Sequence, residues 1–368
     1  MIPVNEPLLG EKELEYVKEC IVSGWVSSEG RFIREFETQW AQYCDRKHGI
    51  AVSNGTTALE AAMWSLNLEA GSEVIMPTFT IISCAGAILR SSCVPVLVDS
   101  DPDTWCMDIR QIEGKITPKT RAIMVVHIYG HPVDMDPVLD LARKYNLRIV
   151  EDAAEAHGAL YKGRPCGSFG DVSCFSFYAN KLITTGEGGM ILTDSEEIAE
   201  RARSYRNLCF RNDRRFFHSE LGTNCRLTNM QAALGLAQVA RMEEIVEKKR
   251  RIGARYNELL ANCHHVQLPT EKEWARNVYW MYGIVLRNNS DLTADYLAKA
   301  LALRAVQTRP FFLGMHEQPV FQRRGLFVGE HYPVADALAR LGLYLPSGLA
   351  ITDEQMQTVA KSVEECLA

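Results

Sequence analysis

Between residues 50 and 150, short apolar runs alternate with stretches of helical period, and few architectures tolerate that alternation. The runs at 74–76, 94–98, 122–128 and 147–150 are strand-sized and almost continuously apolar, the mark of strands buried on both faces. Helical patterns at 56–66, 81–90 and 135–145 separate them. Such a chain predicts βαβ units, and hence a mostly parallel sheet with helices on both sides. Residues 11–22 add an amphipathic pattern with Leu14, Val17, Ile21 and Val22 as its apolar face. The rhythm changes near residue 228. The stretch 228–251 has no proline and a single glycine, which predicts one continuous helix leading out of the large domain. Beyond it, a strand-like run at 279–286 and helical patterns at 293–302 and 352–367 predict a smaller α+β domain. With 368 residues a large and a small domain are both affordable, and the expected division is 1–240 and 241–368. No low-complexity linker separates them, so the two should pack together.

Charge and composition exclude several classes of function. A net charge of −6 and a pI near 5.9 argue against a nucleic-acid or anionic-membrane surface. The first 25 residues carry Glu6, Glu11, Glu13 and Glu15 and no signal-peptide core, and the most apolar run is far short of a membrane span. Eleven cysteines are scattered without CxxC pairs or zinc spacing. They read as reduced, mostly buried thiols of a cytoplasmic protein.

Three segments carry chemistry. Ser53-Asn54-Gly55-Thr56-Thr57 follows a short apolar run and opens a helix. Free N–H groups at a helix start, with the Thr56 and Thr57 hydroxyls beside them, suit a phosphate, although the same residues are ordinary N-caps. Glu151-Asp152 follows an apolar strand, at the carboxyl end where open α/β sheets place their sites. An aspartate there could bind a metal with Glu155 and His157, act as a base, cap a helix, or hold a proton on a heteroaromatic nitrogen. Lys181 ends an aromatic strand-like run, just before a glycine-rich turn. A lysine fixed in this way can form a Schiff base once its pKa is depressed. A phosphate cradle, an aspartate after a buried strand and a lysine at a later strand end together select pyridoxal 5′-phosphate. No metal is expected.

The chain also resembles the DegT-type nucleotide-sugar aminotransferases, of the aspartate-aminotransferase fold (fold type I). The likeness rests on Pro77-Thr78-Phe79-Thr80, His127-Ile128-Tyr129-Gly130, Glu151-Asp152-Ala153-Ala154-Glu155-Ala156-His157-Gly158, Gly167-Ser168-Phe169-Gly170-Asp171, Asn180-Lys181, Thr185-Gly186-Glu187-Gly188-Gly189, Asn224-Cys225-Arg226-Leu227-Thr228-Asn229 and Tyr344-Leu345-Pro346-Ser347-Gly348. It implies that Lys181 is the Schiff-base lysine, that Asp152 pairs with the pyridine nitrogen, and that Glu155 lies by the cofactor's hydroxyl. It implies that Gly55, Thr56 and Ser176 hold the phosphate, and that Asn224 reaches the phosphate of a neighbouring subunit in a homodimer with shared active sites. Within the family, Ile2-Pro3-Val4-Asn5-Glu6-Pro7, Gly24-Trp25-Val26-Ser27-Ser28, Asp103-Thr104-Trp105-Cys106-Met107-Asp108, Ile183-Thr184-Thr185-Gly186-Glu187-Gly188-Gly189 and Thr308-Arg309-Pro310-Phe311-Phe312 resemble the branch that aminates C4 of GDP-4-keto-6-deoxy-D-mannose. This carries L-glutamate as donor, pyridoxamine phosphate between half-reactions, and Trp25, His157, Arg309, Phe311 and His316 as substrate contacts. The resemblance further implies a place in O-antigen or other surface-glycan synthesis. A dehydratase branch has histidine where this chain has Lys181, so transamination is expected. Rivals are the same reaction on a dTDP- or UDP-linked sugar, or a non-catalytic regulatory member; the latter would be expected to have lost Lys181 or Asp152. Four positions depart from the pattern: Ile81, where many members stack an aromatic on the cofactor; Cys225, for an aromatic; Tyr178-Ala179, for phenylalanine and glycine; and Gly314, for a proline.

Overall fold

A computed structural model describes residues 1–211, 213–287 and 292–367. The strands are β1 (His48–Val52), β2 (Glu73–Pro77), β3 (Val94–Val98), β4 (Thr120–Val126), β5 (Arg148–Asp152), β6 (Leu160–Tyr161), β7 (Arg164–Pro165), β8 (Val172–Ser176) and β9 (Gly189–Thr193) in the first part. In the second part they are β10 (Val266–Gln267), β11 (Ala275–Arg276), β12 (Tyr282–Leu286), β13 (Arg309–Pro310) and β14 (Gly342–Leu345). Seven of them form one sheet in the order β1-β9-β8-β5-β4-β2-β3. All its strands run parallel except β9, which is antiparallel to both neighbours. The sheet is thus mixed and mostly parallel, as expected. A second, antiparallel sheet runs β10-β12-β14-β13.

Register decides where chemistry can gather. Val126 pairs with Asp152, and Asp152 with Cys174. Gly189 pairs with both Val52 and Ser176. The carboxyl ends of β1, β4, β5 and β8 therefore fall on one edge, together with the amino end of β9. Behind that edge, Trp40, Phe36, Phe175 and Phe177 pack ring against ring in the core.

One expectation is corrected. The stretch 228–251 is two helices, Asn229–Val239 and Met242–Leu259. No residue in it breaks a helix by propensity; tertiary partners do. The Gln238 carboxamide clasps the backbone of Thr184, donating to its carbonyl at 2.7 Å and accepting from its N–H at 3.0 Å. Arg241 turns away to donate to the carbonyl of Leu8 and to Glu13. The amphipathic pattern at 11–22 forms the helix Glu11–Ser23, as expected. Leu14, Ile21 and Val22 lie 70%, 62% and 79% exposed, while Glu13 and Cys20 are buried. Glu13 can be buried because its carboxylate takes the Arg241 guanidinium and the Gly10 N–H. The chain start joins the second half: Ile2 bridges to Val306, and the Val4 carbonyl accepts from Ser347 N–H.

Candidate active site

The phosphate-type loop is built by its own cap. The Asn54 side chain accepts from Thr57 N–H at 2.9 Å, and the Thr57 hydroxyl accepts from Asn54 N–H and donates to its carbonyl. This capping box starts the helix Gly55–Ser65 and leaves the first-turn amides without intrahelical acceptors. It also spends the Thr57 hydroxyl, which corrects the expectation that Thr57 offers a donor to phosphate. The Thr56 hydroxyl instead pairs with Ser83 at 2.8 Å. A Cβ on Gly55 would lie 2.7 Å from the Cβ of Ser176. The helix start and the end of β8 approach so closely because residue 55 has no side chain.

The two neighbouring acids point to opposite faces of β5, as strand alternation requires. Asp152 faces the site. One oxygen accepts from Ala154 N–H at 3.0 Å and the other lies 3.0 Å from the Cys84 thiol. Glu151 faces the protein and is wholly buried. One of its oxygens accepts from the N–H groups of Phe169 and Gly170, the other from Gly167 N–H and His127. His127 Nδ1 accepts from Val133 N–H, so its proton sits on Nε2 and points at Glu151. Burial works to raise the Glu151 pKa, but His127 and the backbone donors outweigh it and hold the carboxyl below its usual range.

Lys181 lies at the same sheet edge with its side chain 9% exposed. Its Nζ is 3.9 Å from Glu155 and 3.6 Å from the centre of the Trp280 ring. Burial lowers its pKa, opposed by Glu155 and Asp152. Burial raises that of Glu155, opposed by Lys181 and by the Tyr129 N–H that donates to it at 2.7 Å. Each shift moves its group toward the neutral form. Tyr129 reaches Glu155 from a left-handed conformation, φ 51°, a sparsely populated backbone state of the kind stored at functional sites.

The structure brings together Gly55, Thr56, Ser176, Asp152, Glu155 and Lys181, and it moves other expected residues elsewhere. His157 has no exposed surface and sits among the rings of Trp40, Phe175 and Phe177. Burial pushes its pKa down to about 3. It is a neutral core ring, which corrects its assignment as a substrate contact. Phe311 is likewise interior, packed on Tyr129, Trp105 and Phe79. His316 spends both ring nitrogens on a bridge, one 2.8 Å from the Thr78 hydroxyl and one 2.8 Å from Asp336. A Cβ at Gly314 would strike that imidazole at 2.6 Å, so the departure from proline leaves room for the bridge. His316, Glu317 and Asp336 could converge on a cation, but the bridge already accounts for the first and last of them. Trp25, Ile81 and Arg309 are exposed. Arg309 donates to its neighbour's carbonyl at 3.0 Å. Asn224 bridges to Asn207, and the next residues run along the free edge of β1, with Cys225 accepting from Ser53 and Arg226 paired with Val52. A cavity of about 1100 Å³ opens beside that edge and is lined by Arg203, Arg206, Arg226 and Glu29. Lys181 and Asp152 do not line it.

Sequence reasoning missed Trp280, Ser83, Cys84 and Tyr129. Trp280 sits in a run readable only as a strand, and nothing local relates it to Lys181.

Residues 7–364 match the model of the DegT/DnrJ/EryC1/StrS aminotransferase family. The chain belongs to that family. It is 40% identical over 364 residues to the GDP-perosamine synthase of Escherichia coli O157:H7, covering 99% of this chain and 98% of that protein. Over 367 residues it is 41% identical to the GDP-perosamine synthase of Caulobacter vibrioides, covering 100% and 98%. Among solved structures, the aminotransferase TlmJ from Streptoalloteichus hindustanus superposes with a TM-score of 0.92 at 30% identity, covering 100% of this chain and 99% of that one.

The protein is an aminotransferase of the pyridoxal-phosphate-dependent kind, and the donor set fits that cofactor. The helix start beside Gly55 is cleared of side chain and backed by the Ser176 and Thr56 hydroxyls. Asp152 supplies a buried acceptor and Lys181 a buried amine.

Proposed function

We propose that this protein transfers the amino group of L-glutamate to the C4 keto carbon of a nucleotide-linked 4-keto-6-deoxy sugar, GDP-4-keto-6-deoxy-D-mannose, giving GDP-perosamine. The observation that carries the reading is the Lys181 amine, buried beside Glu155 and within electrostatic range of Asp152, in a chain alike over its whole length to proteins named for that product. Bound pyridoxal phosphate supplies an electron sink for the carbon that gives up its proton. Gly55 and Thr56 amides, with the Thr56 and Ser176 hydroxyls, bind the phosphate. Asp152, held by Ala154 N–H, keeps the pyridine nitrogen protonated, and Glu155 lies by the ring hydroxyl. Ile81, 40% exposed just before the helix Ser83–Arg90, would offer dispersion to the cofactor ring. Lys181, favoured as neutral amine by burial, would move the donor's α-proton to the cofactor carbon in the first half-reaction and a proton from that carbon to the sugar's C4 in the second.

Trp25 and Arg309 are the proposed substrate contacts; a guanidinium suits diphosphate oxygens. The division into 1–240 and 241–368 places these groups on both domains. The protein works as a homodimer, with Asn224 reaching the partner's phosphate. That reading is supported by the exposed apolar row of Leu14, Ile21, Val22, Trp25 and Val26, since such a patch marks an interface. A cytoplasmic setting is supported by eleven unpaired cysteines, ten of them buried. No helix among the described residues is long and apolar enough to cross a membrane. The product is an activated amino-sugar, fit for O-antigen or related lipopolysaccharide assembly.

The test is purified protein with glutamate and a panel of GDP-, dTDP- and UDP-linked 4-keto sugars. Amination of the GDP-mannose derivative is expected, and Lys181→Ala should abolish it. Turnover by Lys181→Ala would sink the lysine's role, and preference for another nucleotide would move the substrate.

A further inference from the structure

We propose that Trp280, contributed by the second half of the chain, is a positioning residue whose indole face, with Glu155, forms the seat that receives the Lys181 ammonium whenever that amine is released from the cofactor. The inference rests on the reading of Lys181 given above and deepens it.

Four contacts place the ring. Its face stands 3.6 Å from Lys181 Nζ, centroid to nitrogen. Its Nε1–H donates to the carbonyl of Asn180 at 2.9 Å, the residue that precedes the lysine. The ring is near-parallel to Tyr129, interplanar angle 19° and centroids 6.1 Å apart, and Tyr129 N–H holds Glu155. The backbone that carries Trp280 is brought in by Gly130, at φ +98°, where a Cβ would lie 2.9 Å from the Trp280 nitrogen. Lysine, carboxylate, tyrosine and tryptophan thus form one closed set, and the indole is tied to the lysine's own backbone rather than merely lying near it.

The chemistry asks for such a seat. Each time a substrate amine takes its place on the cofactor, the Lys181 nitrogen is set free in a pocket where burial disfavours its charge. As proton carrier it must nonetheless hold the proton it has taken until it delivers it. A carboxylate alone, 3.9 Å away and itself pushed toward its neutral form by burial, is a weak holder. A desolvated cation over the face of tryptophan, the best of the aromatic partners, gains enough to shift that balance. The indole carries no ionisable group, so it steadies the ammonium without competing for the proton. Because Trp280 stands just before β12 while Lys181 follows β8, the seat exists only when the two halves of the chain are packed together.

The test uses cofactor-free full-length protein. The rate of trace acetylation of Lys181 by acetic anhydride, followed on its tryptic peptide over a pH series, reports the pKa of that amine. Trp280→Leu removes the face and should lower this pKa by about one unit; Trp280→Phe keeps a smaller face and should fall between the two. A purely structural role would loosen the pocket, admit water and move the pKa up. An unchanged or raised value in Trp280→Leu overturns the proposal. If the leucine variant does not fold, Trp280→Phe decides alone, a drop supporting the seat and no drop refuting it. Borohydride treatment of the cofactor-loaded wild type separates the two readings. Failure to label Lys181 would strike at the lysine's assignment, whereas labelled Lys181 with an insensitive pKa strikes only at Trp280.

Discussion

Glu151→Gln isolates the part of the site that no substrate touches. Glu151 presents each oxygen to two donors: Phe169 and Gly170 at 2.7 and 2.6 Å, Gly167 and His127 at 2.7 and 3.2 Å. A glutamine has one acceptor oxygen and one donor group. Whichever way the amide turns, its NH2 faces two N–H groups and satisfies neither. His127 cannot rotate to help, because Val133 N–H holds its Nδ1. Two buried donors are orphaned and the ionic character of the others is lost, offset by relief of the carboxylate's desolvation. The net cost is about 3–5 kcal/mol. Urea unfolding followed by circular dichroism reads the total, and hydrogen exchange at the amides of 167, 169 and 170 reads it locally. The gap between wild type and variant should also depend on pH. The folded-state pKa of Glu151 is lowered, so its stabilisation is complete above the unfolded value of about 4.3 and fades as pH falls through the folded one. The two proteins should converge in acid. A cost below about 1 kcal/mol, or unchanged protection of those three amides, would refute the hub.

Other outcomes follow from single contacts. Gly55→Ala puts a Cβ 2.7 Å from Ser176 between two rigid backbones; overpacking of this kind costs about 1–3 kcal/mol. Cofactor titration of the apoprotein should therefore show affinity weakened about tenfold or more, and normal binding would mean the cradle lies elsewhere. Asp152→Asn should keep the cofactor but slow both half-reactions by orders of magnitude in single-turnover absorbance measurements; slowing only one would remove its role at the ring nitrogen. Thiol titration of the native protein should find Cys366 alone readily reactive, since the other cysteines are buried, and all eleven only after unfolding.

Much of this was legible along the chain. Period and composition are local properties, so the strands at 73–77, 94–98 and 148–152 and the helix Met135–Tyr145 stood out from residue order. Lys181, Asp152 and the Gly55-Thr56 loop stood out for a related reason, since each sits at a strand end where chain direction changes and composition marks it. The continuous helix over 228–251 failed because the clasp that ends it comes from Thr184. A hydrophobic pattern cannot say which surface covers it, so the exposure of Leu14, Ile21 and Val22 on Glu11–Ser23 showed only in the tertiary structure.

The sequence by itself determined the alternation of elements, from which a mostly parallel sheet follows, because hydrophobic period depends on neighbours a few residues away; Lys181 stood out only in combination with Asp152 and the Gly55-Thr56 loop. Tertiary structure decided what each polar group is spent on. It turned Glu151 inward to hold the 167–170 loop, spent Thr57 on a cap and both nitrogens of His316 on a bridge, and enclosed His157 in rings. It also carried Trp280 across the molecule to Lys181. Hydrogen-bond capacity is finite and burial is set by the whole fold, so a residue's free valence is known only once every partner has been placed.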